Sequence, residues 1–159
     1  MSRVWVPACL VLLMFDGWKI SLAGTSVDPT RVLVVDDDQE SRELLSEVLE
    51  ANGYQVKVAE GGSGIWQLLD EDEGCGIILI DLRMPGESGL ELLQKLRQRK
   101  VNCDAVIMTS FIGNAEKELA LELGVKAFLE KPFRLSELLR VVGELATNKP
   151  MNKSLGISS

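Results

Sequence analysis

The sequence predicts an α/β domain, a doubly wound five-stranded parallel sheet with five flanking helices, over residues 30–147. Two observations lead there. From Arg31 onward, short β-branched apolar runs alternate with longer stretches of helical periodicity, the pattern of repeated βαβ units. Most of the apolar runs are continuous, which suits strands covered on both faces. The 159 residues leave room for one ordinary domain with short appendages, and 46% hydrophobic with 26% charged residues is the balance of a folded chain.

The first strand is Arg31 to Val35, and it runs into Asp36, Asp37 and Asp38. Asp38 directly precedes the first helix and suits its N-cap. In that helix Leu44, Leu45, Val48 and Leu49 recur at helical spacing opposite Arg42, Glu43, Glu47 and Glu50, and Asn52-Gly53 stops it. Gln55 to Val58 alternates in polarity, so the second strand belongs at a sheet edge. A weaker helix follows around Ile65 to Leu69. Ile77 to Ile80 forms the third strand and ends in Asp81, and Leu90, Leu92, Leu93 and Leu96 mark the third helix. Val106 to Met108 is the fourth strand, ending in Thr109, and Leu119 with Leu123 marks a helix before Gly124. Ala127 to Leu129 is the fifth strand, leading to Glu130-Lys131-Pro132. Leu135, Leu138, Leu139, Val142 and Leu145 stripe the last helix. These leucine stripes are assigned to the core.

Residues 1–29 read as an N-terminal appendage, either signal-like or the product of an early start. Arg3 precedes an apolar run from Val4 to Phe15, broken by Pro7, and Ser21 and Ala23 suit cleavage before Gly24. That run is shorter than the ~20 residues a spanning helix needs, so no stable membrane insertion is expected. Residues 148–159 read as a polar tail with no room for an output domain.

Composition removes several classes of chemistry. With no histidine, the chain has no Ser-His or Cys-His pair, no imidazole metal site and no phosphohistidine of its own. Cys9, Cys75 and Cys103 show no CxxC spacing and no even-numbered framework, so they read as reduced thiols without a function. The net charge is -7, and because Arg3 and Lys19 balance Asp16 and Asp28, the whole excess falls in residues 30–159. Such acidity argues against direct nucleic acid binding and for protein partners or cations.

The notable polar residues fall at the carboxyl ends of strands, where open α/β sheets bind ligands. Asp36 and Asp37 follow the first strand, Asp81 ends the third, Thr109 and Ser110 end the fourth, and Lys131 follows the fifth. Crowded carboxylates repel one another unless a cation is present, and Mg2+ takes such oxygen ligands together with waters and phosphate oxygens. Lys131 adds a point charge and Thr109 a hydroxyl. A metal, a cationic clamp, a hydroxyl and a carboxylate nucleophile together make a phosphoryl-transfer site.

Four segments then resemble the receiver domain of bacterial response regulators, over essentially residues 30–147: VLVVDD at 32–37, ILIDLRMP at 78–85 with Gly89 beyond it, VIMTS at 106–110 and FLEKPF at 128–133. The resemblance implies a flavodoxin-like sheet in the order 2-1-3-4-5. It implies Asp81 as phosphoacceptor, and Mg2+ held by Asp36, Asp37, Asp81 and the backbone carbonyl of Arg83. It further implies that Thr109 and Lys131 contact the phosphoryl oxygens, that the Lys131-Pro132 peptide is cis, and that Phe128 is the switch aromatic. The phosphoryl donor would be a sensor histidine kinase or a histidine phosphotransfer protein. Output would run through the fourth helix, fifth strand and fifth helix to a protein target, from a monomer or a phosphorylation-dependent dimer. Such a domain is a signalling phosphoacceptor in the cytoplasm, catalysing only its own phosphorylation and dephosphorylation. Arg83 and Phe111 occupy two variable positions and, being bulky, point to a long phosphoryl lifetime.

Two alternatives stand beside it. A haloacid-dehalogenase-like phosphatase also uses an Asp-x-Asp at a strand end, which Asp36 and Asp38 satisfy. Glu40 stands where that family has Thr, however, and Asp81 to Pro85 is left unexplained. The second is a receiver-like binding module that does not use phosphate.

Overall fold

Each apolar run folds as a strand and each amphipathic stretch as a helix in the computed structural model, which describes residues 30–70 and 75–147. The elements are β1 (Arg31–Val35), α1 (Gln39–Ala51), β2 (Gln55–Ala59), α2 (Gly62–Asp70), β3 (Ile77–Asp81), α3 (Gly89–Gln98), β4 (Asp104–Thr109), α4 (Asn114–Glu122), β5 (Val125–Glu130) and α5 (Leu135–Thr147). All pairings are parallel and the strand order is β2-β1-β3-β4-β5. The alternating strand β2 is indeed at an edge. The assignments for residues 1–29 and 148–159, and Cys9 with them, lie outside the described residues.

The continuous apolar runs are explained by the two layers they serve. Along β1, β3 and β4, Leu33, Val35, Ile78, Ile80, Ala105 and Ile107 face one core with Ile65 of α2, Leu92 and Leu96 of α3 and Ala120 of α4. Their neighbours Val32, Val34, Ile77, Leu79, Val106 and Met108 face a second core with Leu45 and Leu49 of α1 and Leu138 and Val142 of α5. Period-two alternation therefore sends successive side chains into opposite layers, both apolar. Truncating any fully buried Leu or Ile there to Ala would cost about 2–5 kcal/mol.

Three features differ from the sequence reading. β4 and β5 each begin two residues earlier than their apolar runs, at Asp104 and Val125, because backbone pairing with the neighbouring strand continues past the apolar segment. In α4 the buried residue is Ala120, whereas Leu119 and Leu121 are exposed, because a small side chain lets the helix sit close to the sheet. In α1, Leu44 is half exposed because only the Leu45 and Leu49 positions point at the sheet. Among the described residues no helix is long and apolar enough to cross a membrane.

Candidate functional site

The chain goes from β1 outward to β2 and returns across β1 to β3, so the winding reverses between β1 and β3. A crevice opens at such a point beyond the strand ends. Asp36 follows β1 there and Asp81 closes β3, 0% and 7% exposed respectively. Asp37 beside them is exposed. One carboxylate oxygen from each of Asp36, Asp37 and Asp81 lies within 4.8 Å of the others.

Asp36 is the most firmly held of the three. Its Oδ1 accepts from the Asp38 backbone N–H at 3.0 Å, and its Oδ2 accepts from Ser41 Oγ at 2.8 Å and from Lys131 Nζ at 2.9 Å. Arg42 Nη1 donates to its carbonyl at 2.6 Å. Asp38 caps α1 as expected, accepting from the Ser41 N–H at 3.0 Å. Burial alone would raise the Asp36 pKa, but the hydrogen bonds from Asp38, Lys131 and Ser41 together hold it below the ordinary carboxylate value.

Asp81 has fewer partners. Its Oδ1 accepts from the Arg83 N–H and its Oδ2 from Lys131 Nζ, both at 3.0 Å. Burial dominates here, and with the nearby Asp36 charge it raises the Asp81 pKa despite those two donors. Lys131 bridges the two carboxylates from just after β5, and the peptide that follows it, Lys131-Pro132, is cis. Its own burial disfavours the charge, yet the two carboxylates outweigh that and raise its pKa. The start of α3 can approach β3 because residue 89 is glycine: a Cβ there would collide with the Asp81 carbonyl oxygen and with Ile80.

Thr109 is buried at the end of β4, and its backbone carbonyl accepts from the Lys131 N–H at 2.8 Å. Its hydroxyl is engaged away from the carboxylates, donating to the Phe111 carbonyl at 2.7 Å and accepting from the Phe111 N–H at 3.2 Å. Phe128 lies opposite Ile107 on β5, half-buried against the core that α2, α3 and α4 cover. The Phe111 side chain is exposed.

Sequence reasoning missed three participants. Ser41 and Arg42 act on Asp36 from the first turn of α1, and the Ser three residues after the Asp38 cap was the available signal. Glu116 had none: it meets the Arg83 guanidinium with two contacts of 2.8 Å, across 33 residues of chain, while also accepting from the Gly113 N–H at 2.9 Å.

A family profile described as the response regulator receiver domain matches residues 32–143. The chain belongs to the response regulator receiver family. It is thus the receiver of a two-component response regulator, a signalling protein rather than a metabolic enzyme, which displaces the phosphatase alternative. This receiver is 37% identical over 109 residues to the transcriptional regulatory protein CpxR of Escherichia coli, covering 69% of the chain and 46% of CpxR. It is 37% identical over 111 residues to the response regulator MprA of Mycolicibacterium vanbaalenii, covering 70% of the chain and 48% of MprA.

Among solved structures, a CheY-like receiver domain protein from Methanospirillum hungatei has a TM-score of 0.70 and 26% identity, covering 75% of this chain and 94% of that one. The response regulator TrrA of Thermotoga maritima, in complex with Mg2+ and BeF, has a TM-score of 0.63 and 29% identity, covering 73% and 98%. The chain spans about half the length of the curated relatives it matches. One of those is named a transcriptional regulatory protein, so the expectation of no nucleic acid binding, drawn from acidity, is not supported. The charge of a receiver describes that half of such a protein alone.

Proposed function

We propose that Asp81 accepts a phosphoryl group from a phosphohistidine on a sensor histidine kinase or a histidine phosphotransfer protein. The observation that carries this reading is the ammonium of Lys131 held between two buried carboxylates, with a third carboxylate oxygen in reach. Those donors are all hard oxygens, two buried and one exposed, which fits Mg2+ with part of its coordination left to water and phosphate. Asp36, Asp37 and Asp81 would hold the ion, with the Arg83 carbonyl as a further ligand. TrrA, a structural relative, was solved with Mg2+ and BeF. Bound there, Mg2+ supplies positive charge against the transferring oxygens.

The receiver's own residues do the rest by positioning. Lys131 and the Arg83 N–H orient the Asp81 carboxylate, one on each oxygen. An Asp81 oxygen attacks phosphorus, the bond to the imidazole nitrogen breaks, and the imidazole leaves neutral through the proton on its other nitrogen. Lys131 then faces a phosphoryl group in place of a carboxylate. The new charge draws the Thr109 hydroxyl away from the Phe111 carbonyl, space opens for Phe128 to turn inward, and the surface of α4, β5 and α5 changes. The exposed Leu119 and Leu121 on α4 give that surface an apolar component suited to a protein target or a second receiver.

The test is labelling by a small acyl-phosphate donor in Mg2+. Wild type should label stoichiometrically and Asp81→Asn, nearly isosteric, should not. Undiminished labelling of Asp81→Asn overturns the assignment.

A further inference from the structure

At the end of the sheet opposite Asp81 sit two thiols that phosphoryl transfer does not use. Cys75 lies two residues before β3 and Cys103 immediately before β4. The two strands start side by side, with Ile77 in register with Asp104 and the Asp104 N–H donating to the Gly76 carbonyl at 2.9 Å. The cysteines therefore stand just ahead of two neighbouring strands, and the chain departs from regular strand geometry at Cys75, since a strict continuation of the register would turn its side chain to the layer opposite Cys103. Both side chains reach the same core layer, Cys103 as a buried member and Cys75 packed against it and partly exposed.

The thiols also touch. The Cys75 side chain hydrogen-bonds the Cys103 sulfur, and this contact, helped by Arg97 and set against burial and the Asp104 charge, lowers the Cys103 pKa. Arg97 donates to the carbonyls of Leu123, Val101 and Cys103 at 3.0 to 3.1 Å, and its Nη1 lies 4.0 Å from the Cys103 sulfur. Among the described residues no carboxylate forms an ion pair with that guanidinium, and its charge favours a Cys103 thiolate while the neighbouring Asp104 charge opposes it.

We propose that Cys75 and Cys103 form a reversible dithiol–disulfide site whose oxidant is a low-molecular-weight disulfide of the glutathione class. Cys75, the accessible sulfur, attacks as thiolate. One small-molecule S–S bond breaks, one small thiolate leaves and takes up a proton, and a mixed disulfide remains on Cys75. Cys103, beside Arg97, attacks the Cys75 sulfur and expels the second small thiolate. Two protein thiols are thereby oxidised to one disulfide and one small disulfide is reduced to two thiols. The link ties together the beginnings of the two strands whose far ends carry Asp81 and Thr109.

The experiment treats the native full chain with oxidised glutathione and maps it by trypsin without reduction. Cleavage after Lys and Arg puts Cys9, Cys75 and Cys103 on separate peptides, residues 4–19, 58–83 and 101–117. The expected product joins 58–83 to 101–117 within one chain, has lost two hydrogens, and reverts with a reducing thiol. Cys103→Ser should stop at a single glutathionyl group on Cys75, and Cys75→Ser should lose the link and leave Cys103 largely unmodified. A wild-type chain that keeps all three thiols, that links through Cys9 or that links only between chains overturns the proposal. So does Cys75→Ser glutathionylated on Cys103 as readily as wild type reacts. Asp81 labelling is read separately, so failure here leaves the phosphoacceptor assignment standing.

Discussion

Replacing Lys131 with Met tests the electrostatic account of the site directly. The substitution keeps an unbranched apolar stem and removes the ammonium, which lies 2.9 Å from Asp36 and 3.0 Å from Asp81. At an effective dielectric near 20, each such contact carries about 5–6 kcal/mol of Coulomb attraction before desolvation is charged against it. Removing one partner of a buried pair costs about 3–5 kcal/mol, and since the Lys131 side chain is 30% exposed, solvent screening brings the expectation to about 2–3 kcal/mol at pH 7 without Mg2+. The penalty should depend on pH. Without the lysine, both carboxylates lose a counter-charge and their folded-state pKa values rise. A folded pKa above the unfolded one means that the folded state binds more protons, so the variant gains stability as pH falls through that raised range. Wild type behaves oppositely at Asp36, whose depressed value contributes stability that is lost as pH falls through it. The gap between the two proteins should therefore narrow from pH 7 to about pH 4. Mg2+ should stabilise the variant more than wild type, because it compensates charge that the lysine no longer does. Urea denaturation across pH, with and without Mg2+, measures all three effects. A penalty below about 0.5 kcal/mol, or one indifferent to both pH and Mg2+, would refute the reasoning.

Two further outcomes follow from neighbouring geometry. Phe111→Ala with Arg83→Asn should speed loss of the phosphoryl group on the order of tenfold, about 1.4 kcal/mol of barrier, by opening the mouth of the site to water; release of phosphate from labelled protein measures it, and unchanged decay counts against a shielding role. Ser41→Ala should lower stability by about 1 kcal/mol, the net value of a hydrogen bond lost from Asp36, and should weaken labelling while leaving the Asp38 cap on α1 in place; circular dichroism during thermal unfolding and the acyl-phosphate assay read the two effects.

The sheet was legible because both its faces are covered. Strands buried twice must be continuously apolar, and the residues that break such a run at its carboxyl end, Asp36, Asp81, Thr109 and Lys131, become conspicuous. Helix faces were less legible, because leucine stripes do not tell which edge of the stripe the sheet covers. Hence α4 buries Ala120 in place of Leu119. Contacts across long separations left no trace in the sequence. Nothing near Arg83 announces Glu116, and the spacing of Cys75 and Cys103 says nothing until β3 and β4 are paired.

Within the site, geometry distinguishes two chemically identical side chains. Asp36 and Asp81 share one lysine nitrogen at nearly equal distance, yet their acidities move in opposite directions. The difference lies in the remaining donors. Asp36 also accepts from Ser41 Oγ and the Asp38 N–H, whereas Asp81 has only the Arg83 N–H besides the lysine and bears the repulsion of Asp36. A carboxylate stabilised by many donors is a poor nucleophile and a rigid place to hold a cation. One with few donors and a raised pKa keeps more of its electron density available for attack. On the proposed assignment, the donors from the first turn of α1 would suit Asp36 to hold a cation, and the sparser donor set of Asp81 would suit it to accept the phosphoryl group.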